Sequence, residues 1–154
     1  MRKIIKLVLI VVWMGIIFSF SNDTGEVSTK KSDGIIIRTV ETFLSRNLNS
    51  LEKERWIKYL VVPVRKTAHL FVYLILGMLI ISFCQEFGEI NNKMVLLALF
   101  LAFLYALSDE IHQMLVPGRS GQFSDVFLDT VGSFMGIISY RLVYNKLRKE
   151  DLDE

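Results

Sequence analysis

Apolar residues fall along this chain in four long runs separated by polar segments. Runs of about 20 such residues are long enough to cross a bilayer as helices. The pattern predicts spans at residues 4–20, 65–84, 94–112 and 125–144, with an outer loop at 21–64. The first run, LVLIVVWMGIIFSF at 7–20 behind a short basic segment, has the layout of a signal peptide or an N-terminal anchor. Bulky Trp13, Phe18 and Phe20, and no alanine motif near Ser19-Phe20-Ser21, predict a retained helix. The expected fold class is therefore all-α: one integral membrane four-helix bundle with an extracytoplasmic helical loop between spans one and two.

The loop is mixed to polar, with turn chemistry at Asn22-Asp23 and Ser32-Asp33-Gly34. Ile36, Val40, Phe43, Leu44 and Asn47 recur at helical spacing, and Asn49 with Glu52 three residues on has the pattern of a capping box. Trp56 and Tyr59 among Lys53, Arg55 and Lys58 suit a helix lying in the headgroup layer. A small lid packed on the bundle fits the same pattern, and re-entry of the 35–48 helix into the bilayer stays open.

Polar residues inside the runs change the picture, because ionisable groups in a span are costly enough to mark function by default. Arg65, Lys66, His69 and Tyr73 share one side of span two by the three-and-four rule. Residues 85–93 form a short polar turn-around, in which Glu86 and Glu89 are read as solubilising only. In span three Tyr105, Asp109, His112 and Val116 recur at helical spacing, Ser108 and Gln113 flank that face, and Glu110 is turned about 100° away. Pro117-Gly118-Arg119-Ser120-Gly121 reads as a tight turn, and Ser124 as the N-cap of span four. Asp125, Asp129, Gly132 and Gly136 share one face of that span, and the GxxxG pair aims it into the bundle.

Composition agrees with a membrane protein: 52% of residues are hydrophobic and the mean hydropathy is +0.42. The 18 basic and 16 acidic residues leave a net charge of +2, which gives no reason to expect nucleic acid as a partner. Cys84, alone, cannot form an internal disulfide. An even number of spans puts both termini on one side, and the bases flanking them, up to Arg141, Lys146, Arg148 and Lys149, place that side in the cytoplasm. Arg65, Lys66 and Arg119 then lie outside, against the positive-inside trend, which suggests that they serve a site.

The polar ends of spans two, three and four all meet one membrane face. The catalytic candidates are His69, Asp109, Glu110, His112, Asp125 and Asp129; Arg65, Lys66, Tyr73, Gln113 and Arg119 are candidates for holding substrate. Asp109, His112, Asp125 and Asp129 could ligate a divalent metal, while the bases could clamp a phosphate. A metal with an anion clamp suits transfer or hydrolysis at a lipid-linked phosphate. A structural ion-pair network accounts for the same residues without a reaction, and a non-enzymatic site for a lipid headgroup or a glycopeptide needs the charges but no turnover. Apolar residues in the other half of every span argue against an ion-coupled transporter. Phosphate loops, CxxC pairs, GxSxG elbows and HExxH motifs are lacking.

RKTAHLFVYLILG, ALSDEIHQMLVPGRSGQFSDVFLDTVGSFMG and the FSFSN that ends span one resemble the VanZ-like family of bacterial membrane proteins. The resemblance covers most of the chain but not the 22–62 loop. It implies a small multi-span protein of the bacterial cell membrane, whose namesake is associated with low-level teicoplanin resistance. Arg65, Lys66, His69, Tyr73, Asp109, Glu110, His112, Gln113, Arg119, Asp125 and Asp129 match as motif positions, without assigned chemical roles.

Overall fold

The structure, a computed structural model, describes residues 1–119 and 121–153, with side chains through Glu150. Ser120, within the expected turn, lies outside the described residues. Five helices follow in order: α1 (Arg2–Ser21), α2 (Gly25–Leu44), α3 (Ser50–Cys84), α4 (Asn92–Leu115) and α5 (Phe123–Asp153), with a single 3-10 turn at Gln85–Phe87. There is no strand among the described residues. The fold is all-α, and α1, α3, α4 and α5 are long and apolar enough to cross a membrane.

Helix α3 departs most from the expected layout. Residues 65–84 are only the second part of a 35-residue helix that runs through Pro63. At 1.5 Å per residue it is about 52 Å long, well beyond a hydrocarbon core of about 30 Å. The stretch expected to lie flat in the headgroup layer is instead the continuation of the span. Its start is the capping box legible in the sequence: Asn49 Oδ1 accepts from Glu52 N at 2.9 Å, and Glu52 Oε2 accepts from Asn49 N at 3.0 Å. A helical proline removes one backbone hydrogen bond, but α3 packs on α1, α2, α4 and α5, so the helix continues.

The turn expected at Ser32-Asp33-Gly34 lies inside α2. Thr24 caps that helix by accepting from Val27 N, and Thr29 and Ser32 turn their hydroxyls back onto the carbonyls of Gly25 and Ser28. With those side chains engaged and Ile36 buried, helix wins over the local turn preference. After the turn that follows α4, α5 already begins at Phe123, so Ser124 sits in its first turn and is not its cap.

Backbone approach between α3 and α5 holds the bundle. A Cβ on Gly132 would meet the backbone of Leu70, one on Gly136 that of Leu74, and one on Gly77 that of Ser133. The GxxxG face therefore points inward, as expected. Trp13 Nε1 donates to Val72 O at 2.9 Å and Tyr105 OH to Met14 O at 2.7 Å, tying α1 to α3 and α4.

The polar groups separate into two ends. Lys6–Glu86 (2.6 Å) and Arg148–Glu89 (2.5 Å) join the start of α1 and the far part of α5 to the turn after α3. Glu86 and Glu89, read as solubilising only, are both latches. Arg65, Lys66, His69, Asp109, Arg119, Asp125 and Asp129 gather at the opposite end.

Candidate functional site

Two adjoining clefts open at that end. One, about 260 Å³, has apolar walls from Ile17, Phe20, Ile35, Val64, Ala68 and Val72. The other, about 460 Å³, is bordered by Lys66, Gln113, Gln122 and Asp125. Arg65, His69 and Arg119 line both.

Two local causes bring the three together. Arg65 and His69 lie one turn apart on α3 and so face the same way. Arg119 sits just after Gly118, whose φ of +75° lets the chain turn back. The start of α2 closes on this turn, with Gly25 N donating to Pro117 O at 3.2 Å and no room for a Cβ against Gly118.

Arg119 is the hub. Its Nε donates to Asp23 O (2.9 Å), Nη1 to Gln113 Oε1 (2.8 Å) and Nη2 to Phe20 O (2.8 Å). All three acceptors are neutral. Burial, and next the nearby Arg65 charge, push the Arg119 guanidinium below the usual arginine range. Arg65 gives Nη2 to Thr29 Oγ1 at 3.2 Å, and Lys66 Nζ lies 3.3 Å from Asp125 Oδ1.

Behind the clefts, Asp129 (1% exposed) brings Oδ1 to 3.6 Å from His69 Nδ1, and both atoms are buried without a hydrogen bond. A slight closure would make the bond. Asp109 Oδ2 accepts from Tyr73 OH (3.2 Å) and Gln113 Nε2 (3.0 Å), and Gln113 Nε2 also reaches Ser21 Oγ at 3.3 Å. This buried chain orients Gln113, whose oxygen holds Arg119.

The structure thus brings Arg65, Lys66, His69, Gln113, Arg119 and Asp125 to the cleft walls, with Asp129, Asp109 and Tyr73 supporting them. Glu110 and His112 line neither cleft. Glu110 Oε1 accepts from Gln122 N at 2.6 Å, and the His112 ring stacks on Phe18 with centroids 4.4 Å apart. The expected metal set of Asp109, His112, Asp125 and Asp129 does not come together. Each member faces a different partner, and among the described residues no three His, Cys, Asp or Glu side chains converge on a metal position. The donors present do not fit a divalent ion.

A family model described as VanZ/LLP1 matches residues 6–144. The chain belongs to the VanZ/LLP1 family. The match includes α2 and the start of α3, so the 22–62 loop left out of the sequence resemblance lies within this family's region. No curated protein and no solved structure matches the chain.

That loop also supplies what the sequence reading did not assign: Asp23, Thr29 and Lys31 at the cleft walls. Thr24 followed by an acid in the first turn, Glu26, is a helix-start signal that would have placed α2, and with it these residues, beside the site.

Proposed function

We propose that this VanZ/LLP1 protein is an enzyme of the bacterial cell envelope that acts on a lipid or lipid-linked phosphate at the extracytoplasmic face of the membrane. The observation that carries the reading is the meeting of an apolar cleft and a charged cleft at Arg65, His69 and Arg119. An amphiphile fits across them, its chain against Ile17, Val64 and Val72 and its anionic group at the bases. The bases at both termini lie at the end of the bundle opposite the clefts, which supports cytoplasmic termini and an outward-facing site.

Arg65 and Arg119 hold the anion, with Lys66 beside them on Asp125, and Asp129 orients His69 as the acid–base. In hydrolysis, the water oxygen bonds to phosphorus while its proton passes to His69. The phosphorus–oxygen bond to the leaving group then breaks, and His69 returns the proton to the departing oxygen.

A second reading, binding of a lipid headgroup or glycopeptide without turnover, is favoured by one observation: among the described residues no hydroxyl or thiol hydrogen-bonds to His69. A protein that shields a cell wall precursor would connect either reading to teicoplanin resistance. The test is mass spectrometry of a bacterial membrane lipid extract incubated with purified protein, with His69→Gln as control. A lipid species altered by wild type alone supports the enzyme. A lipid that co-purifies unchanged with both proteins supports the binder, and no altered or retained lipid overturns both.

A further inference from the structure

The charged groups of the two clefts are unevenly paired. Lys31 pairs with Asp23 at 2.6 Å and Lys66 with Asp125 at 3.3 Å, while His69 faces Asp129. Arg65 and Arg119 remain. Their hydrogen bonds go to the Thr29 hydroxyl, two carbonyls and one amide, and neither makes a salt bridge to a carboxylate among the described residues. Asp109 and Glu110 are buried outside the cleft walls, Asp109 behind the Gln113 amide and Glu110 on Gln122 N.

Two like charges bordering the same partly desolvated space repel each other, and an anion between them relieves that repulsion. Burial and then the Arg65 charge lower the proton affinity of Arg119, while Asp109, Asp23 and Glu110 act on it in the opposite sense from beyond salt-bridge distance. We infer that the Arg65–Arg119 pair seats a doubly charged oxyanion, so that the ligand is a lipid ending in a phosphomonoester and not one bridged by a singly charged phosphodiester. This rests on the amphiphile reading above and narrows it. A monoester carries a charge of about −1.5 to −2 at pH 7 and offers three acceptor oxygens, enough for two guanidinium forks. A diester carries one charge and leaves one guanidinium without a direct anionic contact.

The experiment is native mass spectrometry of the full chain in detergent, titrated with lysophosphatidic acid, with lysophosphatidylglycerol of the same acyl chain, or with inorganic phosphate alone. The expected result is binding of lysophosphatidic acid roughly tenfold or more tighter than of the diester, with that preference lost in Arg65→Gln. Unchanged elution volume of Arg65→Gln checks that it is folded. Equal binding of the two lipids overturns the phosphomonoester assignment and leaves the amphiphile reading standing, whereas binding of neither overturns both. Inorganic phosphate bound as tightly as lysophosphatidic acid would put a soluble anion at the pair and overturn the lipid assignment. A full preference retained by Arg65→Gln would remove Arg65 from the site.

Discussion

Asp129 Oδ1 stands 3.6 Å from His69 Nδ1 in a position where neither atom has a hydrogen bond. Asp129 is on α5 and His69 on α3, so the pair exists only because the glycine face brings these two helices close together. A carboxylate so placed fixes the imidazole tautomer and leaves the other ring nitrogen for proton transfer. Replacing Asp129 with Asn keeps the shape and removes that control. We expect Asp129→Asn to lower kcat by roughly 10²- to 10⁴-fold with KM and lipid retention little changed, measured on the lipid species that wild type converts. Unchanged kcat would make the pair a structural ion pair only.

The scattered directions of Asp109, His112, Asp125 and Asp129 lead to a second expectation, concerning metal. Turnover by protein purified with EDTA and assayed in EDTA should equal that of untreated protein within twofold. Loss of activity on chelation, restored by one divalent cation, would mean that the four side chains regroup around an ion.

Backbone approach gives a prediction of stability. A Cβ on Gly136 would strike the backbone of Leu74, whereas one on Gly15 has open space around it. Gly136→Val should destabilise by roughly 1–3 kcal/mol or more through overpacking, and Gly15→Ala should be neutral. Thermal unfolding of the two variants in the same detergent checks the contrast; equal melting temperatures would mean that α3 and α5 are not in backbone contact.

The spans are legible in the sequence because membrane crossing requires length and apolarity, and both are local properties. The inward face of α5 is legible for a similar reason, since Asp125, Asp129, Gly132 and Gly136 recur at helical spacing. Partnerships are less so. His112 occupies the same stripe as Asp109 yet stacks on Phe18, because its surroundings are set by α1, which no pattern within α4 reveals. Lys66 and Asp125 were read as separate functional groups and turn out to be each other's partner. The second half of α2 is legible at Ile36, Val40, Phe43 and Leu44, but its first half is masked by turn-forming residues such as Ser32, whose hydroxyl bonds back onto the helix.

Glu41 predicts how the α2–α3 hairpin responds to acid. Its Oε1 accepts from Leu48 N at 3.0 Å and lies 3.2 Å from Lys53 Nζ, and these, the backbone bond first, hold its carboxyl below the usual value of 4.5. A depressed folded-state pKa stabilises the hairpin fully above the unfolded value, and that contribution is lost as pH falls through the folded one. Hydrogen exchange of the Leu48 amide, corrected for intrinsic rate, should therefore be slow at pH 7 and accelerate below pH 4.5. Glu41→Gln should weaken protection at pH 7 and flatten this dependence.

Arg119 and Arg65 allow charge to be separated from geometry. Arg119 uses three nitrogens to join the end of α1, the turn before α5 and Gln113 of α4, whereas Arg65 makes one bond, to Thr29. Lysine keeps the charge but cannot reproduce the planar fork. Arg119→Lys should leave at least one partly buried oxygen without its donor and cost roughly 1–3 kcal/mol, whereas Arg65→Lys should cost less than about 1 kcal/mol. Thermal unfolding followed by tryptophan emission reads the difference, and Trp13, bonded to Val72 O, reports on the helix that Arg119 anchors. Faster amide exchange at the end of α1 should accompany the first substitution and not the second. If the two lysine variants melt together, Arg119 is a ligand-binding charge and not the joint that holds the cleft open.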